Sequence, residues 1–293
     1  MVWFIILAVI TAGLALGLPP DPQTLHQLHI SSVMYRVAIV VLLIPYGLIW
    51  YTAFYAFAKL KEYSRAIKGS DDGKAFHNIM VGMGVLAFGL IVPTAISLIM
   101  QDIASHHHGF TPASVIINNY LGLLLALIAF VYINNGTHLL TRLSKNQPGL
   151  AGLRIFTLLF ITLASVFTYL VVNYHVRHNQ VYYLNTPLLI TTFIIPALFA
   201  WFVAILSAYE FGLYAKSVKG SLYRAALRQF SNGIIIAIAG WVASQFVDNT
   251  FAAKVSHSLG SLLLAEYALL AIIAVGLILM ALGAKKLKRI EEA

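Results

Sequence analysis

Histidine is the residue of this chain best suited to do chemistry. Of its ten histidines, eight lie in or beside the polar loops at one end of the long apolar segments: His26, His29, His106, His107, His108, His175, His178 and His257. Neutral imidazole is the commonest protein ligand for transition metals and ligates haem iron. The spacing also repeats. His26-Gln27-Leu28-His29 answers His175-Val176-Arg177-His178, and His106 answers His257, so imidazoles recur where two pairs of helices begin. Facing helices of a bundle can hold a cofactor between them. The expectation is a haem held by His29, His106, His178 and His257, with Arg36 on a propionate, or a transition metal held among His26, His29, His107, His108, His175 and His178. A loop that avoids Lys and Arg also uses His as a neutral polar residue, and that purely structural reading stands beside the ligand reading.

Carboxylates and amides form a second constellation. Glu266 lies nine residues past His257, roughly 13 Å along a helix rising about 1.5 Å per residue. That depth is hydrocarbon, where an ionised carboxylate costs several kcal/mol unless paired or protonated. Asn118, Asn119, Gln245 and Asp248 join it near the same end. The functional reading is a proton or solute site; the structural one is interhelical hydrogen bonding, with Glu266 protonated or paired to Arg36. Glu210 is set opposite Lys59 by an internal sequence match, and an ion pair between them would pin two halves of the molecule. His77 and His138 fall where the match has Arg228 and Lys285, and read as ordinary interfacial basic side chains.

The elements that must position these residues are membrane helices. The chain of 293 residues is 60% hydrophobic and 10% charged, with mean hydropathy +0.85, against about 25% charged for a soluble domain. A span needs about 20 apolar residues. Eight segments qualify, roughly 2–18, 33–60, 74–101, 112–140, 152–173, 185–214, 224–247 and 259–284. Ala15-Leu16-Gly17 resembles a signal-peptidase site, but Ile10-Thr11 matches Ile161-Thr162 of the fifth segment, so the first segment is read as a retained helix. At an offset of about 151 residues, Ile44-Pro45 falls on Ile195-Pro196, Trp50 on Trp201, Gly69-Ser70 on Gly220-Ser221 and Gly82 on Gly233; after a four-residue slip Tyr120 meets Tyr267 and Gly136 meets Gly283. A period this long is a duplicated domain. The expected architecture is all-α: two tandem, parallel four-helix repeats, residues 1–148 and 149–293. Most Lys and Arg gather in the even-numbered connections and the C-terminal tail, which places both termini in the cytoplasm. The expected setting is a prokaryotic cell membrane.

The net charge of +9 thus reports orientation and not nucleic acid. Lys68-Gly69-Ser70 and Lys219-Gly220-Ser221 read as tight turns, Gly in the left-handed position and Ser capping the next helix. Tyr63 and Tyr214, with Lys68 and Lys219, are expected at headgroup level on anionic lipid. Asp71-Asp72-Gly73 reads as solvated loop. Pro45 and Pro196 are expected to kink their helices in mid-span, and Gly82, Gly84 and Gly233 to permit close packing. The absence of cysteine excludes disulfides, thiolate sites and thiol catalysis, and no phosphate-binding loop, dinucleotide fingerprint or hydrolase triad is present.

Eight helices in two tandem four-helix repeats, with His near the outer ends of helices two, four, six and eight, resemble the plan of the heme A synthase family. The resemblance is one of layout and implies a haem near the outer face. That family's Glu-containing haem-ligand motifs, outer-loop cysteine pair and Thr-Arg-Leu-Thr signature have no counterpart here. Three function classes follow: a haem- or metal-binding membrane protein with a role in electron transfer; a pseudosymmetric transporter or channel using an intramembrane Glu; and a non-catalytic scaffold or subunit, as a homo-oligomer or within a membrane complex. Enzymatic activity is left open.

Overall fold

The computed structural model describes residues 6, 9–13, 17, 31–92, 112–144, 154, 155, 158–162, 164, 166, 191, 194–218, 220–246 and 259–292. Among them all regular structure is helical. Six long helices carry the fold: α1 (Ser32–Ala66), α2 (Asp71–Gly89), α3 (Pro112–Leu143), α4 (Ile195–Ser217), α5 (Ser221–Phe246) and α6 (Leu259–Glu291). Within these, Leu121–Leu143, Ile195–Ser217, Leu222–Ser244 and Tyr267–Glu291 are long and apolar enough to cross a bilayer. Large apolar side chains also point outward. Val33, Val37, Val40, Ile44, Leu48 and Tyr51 make one exposed stripe along α1, which hydrocarbon tolerates and water does not. The chain is a helical membrane protein.

Local chemistry explains the helix ends. Ser31 caps α1, its Oγ accepting from Met34 N at 3.2 Å. Between α1 and α2, Gly69 takes φ +101°, a conformation that a Cβ would disfavour. Ser70 then caps α2 by accepting from Gly73 N at 2.9 Å. Gly220, with φ +106°, makes the equivalent bend between α4 and α5, where the Arg224 guanidinium donates to the Val218 carbonyl at 2.7 Å. Pro45 lies inside α1. Pro196 lies near the start of α4, just after Ile194, which is itself helical.

The most extensive contacts among the described helices number six. α5 packs on α6 and α2 on α3; α1 packs on α6 and α3 on α4; α1 meets α2, and α4 meets α5. The two most extensive interfaces depend on glycine. A Cβ on Gly82 would stand 2.5 Å from the Ala129 carbonyl oxygen and 2.7 Å from the Ile133 side chain. One on Gly233 would stand 2.6 Å from the Gly276 carbonyl oxygen and 2.5 Å from Met280 N. Likewise Gly136 abuts Ala75 and Ile79, and Gly283 abuts Phe230. Such small residues let helix backbones approach where no hydrophobic effect drives them together, as expected for Gly82 and Gly233. The interior is filled by Ala53, Ala56, Ala200, Ala204, Ala281 and Ala284, and by aromatic rings: Phe76 stands edge-on to Tyr63 at 4.8 Å and to Phe211 at 6.2 Å.

Candidate functional site

Along α3 and the turn that ends it, Asn134, Thr137, His138, Thr141 and Ser144 recur at helical spacing and so share one face. That face meets Glu210, Tyr214 and Ser217 of α4 and makes a polar seam through the core. Glu210 is its centre, only 5% exposed. Its Oε1 lies 3.0 Å from His138 Nδ1. Its Oε2 accepts from Asn134 Nδ2 at 3.2 Å and lies 3.2 Å from Thr137 Oγ1. Thr137 Oγ1 is also 3.0 Å from the Asn134 carbonyl, so its one proton has two acceptors. Thr141 Oγ1 stands 3.2 Å from the Glu210 carbonyl and 2.8 Å from that of Thr137. A buried carboxylate persists only when paired and hydrogen-bonded, and the donors gathered here meet that requirement.

The seam leads outward to an open cleft of about 400 Å³ whose polar lining is Ser70, Asp71, Asp72, Ser144, Tyr214 and Ser217. Tyr214 lies one helical turn beyond Glu210. His138 provides a second exit, because its side chain is 48% exposed while the Glu210 side chain is 7% exposed. The carboxylate is therefore buried yet one residue from the surface.

Beside the cleft, Tyr63 OH and Tyr223 OH are 2.8 Å apart, and Tyr214 OH donates to Asp72 Oδ2 at 3.5 Å. These contacts join α1 to α5 and α4 to α2. Tyr63 and Tyr214, expected at headgroup level, are 0% and 5% exposed; their hydroxyls find partners inside the bundle, which spares them a lipid-facing role. Asp72, expected in a solvated loop, sits in the first turn of α2. Burial pushes its carboxyl above the ordinary range, with the Tyr214 hydrogen bond opposing and Asp71 adding to the shift.

Lys59 does not reach Glu210. It pairs with Glu62 on its own helix at 2.8 Å, and the other Glu62 oxygen is 3.6 Å from Lys288 of α6. The hydrogen bond from Lys59 holds the Glu62 carboxyl below its ordinary range, against the effect of burial. Glu210 does join the two sequence halves, but through α3. The reading of His138 as an ordinary interfacial base is revised accordingly, whereas His77 is exposed.

The other expected site residues are placed as follows. His26, His29, His106, His107, His108, His175, His178, His257, Asp248 and Lys219 lie outside the described residues. Arg36 is exposed on α1 and Lys68 is exposed in the turn after it. Asn118, Asn119, Gln245 and Glu266 belong to α3, α5 and α6, their side chains outside the described set. Among the described residues no group of three His, Asp or Glu has the arrangement to hold a metal. What sequence reasoning passed over is the α3 stripe; its period of three and four residues was the available signal. No protein-family model, curated protein or solved structure matches this chain.

Proposed function

We propose that this protein is a pseudosymmetric membrane transporter whose working group is the intramembrane carboxylate Glu210, protonated and deprotonated through His138 and the cleft. The observation that carries the reading is the polar seam between α3 and α4. Ionisable residues inside membrane helices characteristically mark ion or proton pathways. The corresponding crossing of α6 on α1 has Ala281 and Ala284, both fully buried, where the internal match has Asn134 and Thr137. A group needed merely to pack the helices would be expected at both crossings.

The architecture in this reading is eight spans in two parallel four-helix repeats, with both termini and the cleft cytoplasmic. Four observations support it. Exchanging α1, α2 and α3 for α4, α5 and α6 turns the six most extensive helix contacts into one another. The Gly82–Ala129–Ile133 contact has its image in Gly233–Gly276–Met280. Tyr63–Tyr223 is matched by Tyr214–Asp72, because the sequence offset carries Tyr63 to Tyr214 and Asp72 to Tyr223. The basic residues gather at the cleft end of the helices, which favours a cytoplasmic location.

The test is proton flux into proteoliposomes loaded with a pH-sensitive dye under an imposed pH gradient. Wild type should dissipate the gradient, and Glu210→Gln should not while retaining its folded elution profile. Undiminished flux in Glu210→Gln would remove Glu210 from the pathway; no flux in either protein would favour the scaffold class.

A second reading keeps a haem or transition metal near the outer face, with an electron-transfer role. The paired placement of the outer histidines in both halves supports it. A visible spectrum of the detergent-purified protein without a Soret band, together with a blank metal analysis, would remove it.

A further inference from the structure

A second polar groove among the described residues lies between α5 and α6. Its volume is about 390 Å³, and Arg224, Arg228, Gln229, Asn232, Ala225 and Leu279 line it. Lys286 of α6 donates to Gln229 Oε1 at 2.6 Å, which brings a third cation to a residue that lines the groove. Arg224 is braced by its bond to the Val218 carbonyl. The lining contains no carboxylate. The groove begins in the first turns of α5, where the helix dipole also favours negative charge.

Polarity changes in order along the groove. Arg224, Arg228 and Asn232 are spaced four residues apart on one face of α5. With a rise of about 1.5 Å per residue, Asn232 stands roughly 12 Å above Arg224. Exposed Ile235 continues beyond it on α5, and Leu279 of α6 lines the groove. Cations, then an amide, then aliphatic side chains follow the sequence of phosphate, glycerol ester and acyl chain in a phospholipid. Arg228 and Asn232 are both exposed, on a helix apolar enough to span a bilayer. Polar groups facing hydrocarbon need a polar partner, and a headgroup drawn along the helix would supply one.

We propose that this groove is a binding site for one anionic phospholipid, its phosphate held by Arg224, Arg228 and Lys286 and its ester region by Asn232. The internal match sets Gly73, His77, Leu139 and Val81 against Arg224, Arg228, Lys286 and Asn232, so the other half has no second copy. The site differs from a general basic surface in having a defined place and stoichiometry. It rests on the membrane reading of the chain and is independent of the role given to Glu210.

The test is titration of the full-length, detergent-solubilised protein with fluorescent phosphatidic acid, competed separately with unlabelled phosphatidic acid, phosphatidylcholine and inorganic phosphate. One saturable site is expected, displaced by phosphatidic acid and not by the other two. Each basic residue near anionic lipid is expected to change affinity roughly fivefold. Arg228→Gln/Lys286→Gln should therefore bind about 25-fold more weakly, whereas Lys61→Gln/Arg65→Gln, which removes equal charge from exposed positions elsewhere, should bind as wild type. Equal loss in both double variants would overturn the site in favour of general charge attraction. Effective competition by inorganic phosphate would overturn the lipid assignment in favour of a free-phosphate site, and wild-type indifference to phosphatidic acid would overturn both.

Discussion

Replacing Glu210 by Ala should cost more stability than any other single side-chain truncation in the seam. The carboxylate is 5% exposed and faces Asn134, Thr137 and His138 at 3.0–3.2 Å. Hydrogen bonds inside membrane proteins contribute about 0.6 kcal/mol on average and up to about 1.7 kcal/mol, while bonds to charged groups run to about 1.5–3 kcal/mol. The His138 contact is taken at the low end because that ring is half exposed and screened. The sum for Glu210→Ala is about 2–4 kcal/mol, with Asn134 and Thr137 left facing a void. Glu210→Gln should cost only about 1–2 kcal/mol, since its carbonyl can accept from one donor and its amide can donate to Thr137 or to a flipped Asn134. His138→Ala should cost about 1 kcal/mol or less. The assay is reversible unfolding in mixed detergent–SDS micelles, read by fluorescence of the four tryptophans. Equal losses for the Ala and Gln variants, or a loss below about 1 kcal/mol for Glu210→Ala, would refute the argument that the carboxylate organises this crossing.

Gly82→Val and Gly233→Val should each destabilise by about 1–3 kcal/mol or more in the same assay through backbone collision, whereas Gly47→Val, with nothing within 4 Å of the added carbon, should be tolerated. The Asp72 carboxyl is raised in the folded state, so the folded chain holds that proton after the unfolded chain has released it. Its contribution to stability should fall as pH rises from about the ordinary value of 3.8 through the raised one; Asp72→Asn should remove that slope in a pH series of unfolding measurements. Glu62 is lowered and has the opposite sign: its stabilisation, present above the ordinary 4.5, should disappear as pH falls through the folded value, and Glu62→Gln should abolish the change. Because the chain lacks cysteine, Lys68→Cys and Lys145→Cys should react with an impermeant maleimide only from the cytoplasmic side, and His107→Cys only from outside; labelling of Lys68→Cys from outside would reverse the orientation.

Hydropathy and the internal match made four apolar helices of membrane-spanning length, the glycine contacts and the two Gly-Ser bends legible, because each depends on local composition or on backbone freedom at one residue. Gly69 and Gly220 were expected in the left-handed region and adopt it; Ser70 was expected to cap and does. Side-chain partners were less legible. The sequence match set Lys59 opposite Glu210, yet a match between positions says nothing of contact between them. Each of them found a different partner.

What the sequence determined by itself is the membrane solvent and the helical segments, since apolar runs of bilayer length and low charge leave the backbone little alternative to internal hydrogen bonding. Tertiary structure decided which helix faces meet. Only the crossing of α3 on α4 converts a stripe of small polar residues into a buried cluster around Glu210, and only the burial of Tyr63 and Tyr214 turns apparent headgroup anchors into cross-bundle hydrogen bonds. Periodicity specifies a face, while the partner of that face depends on helix rotation and crossing, which are set by contacts far apart in the chain.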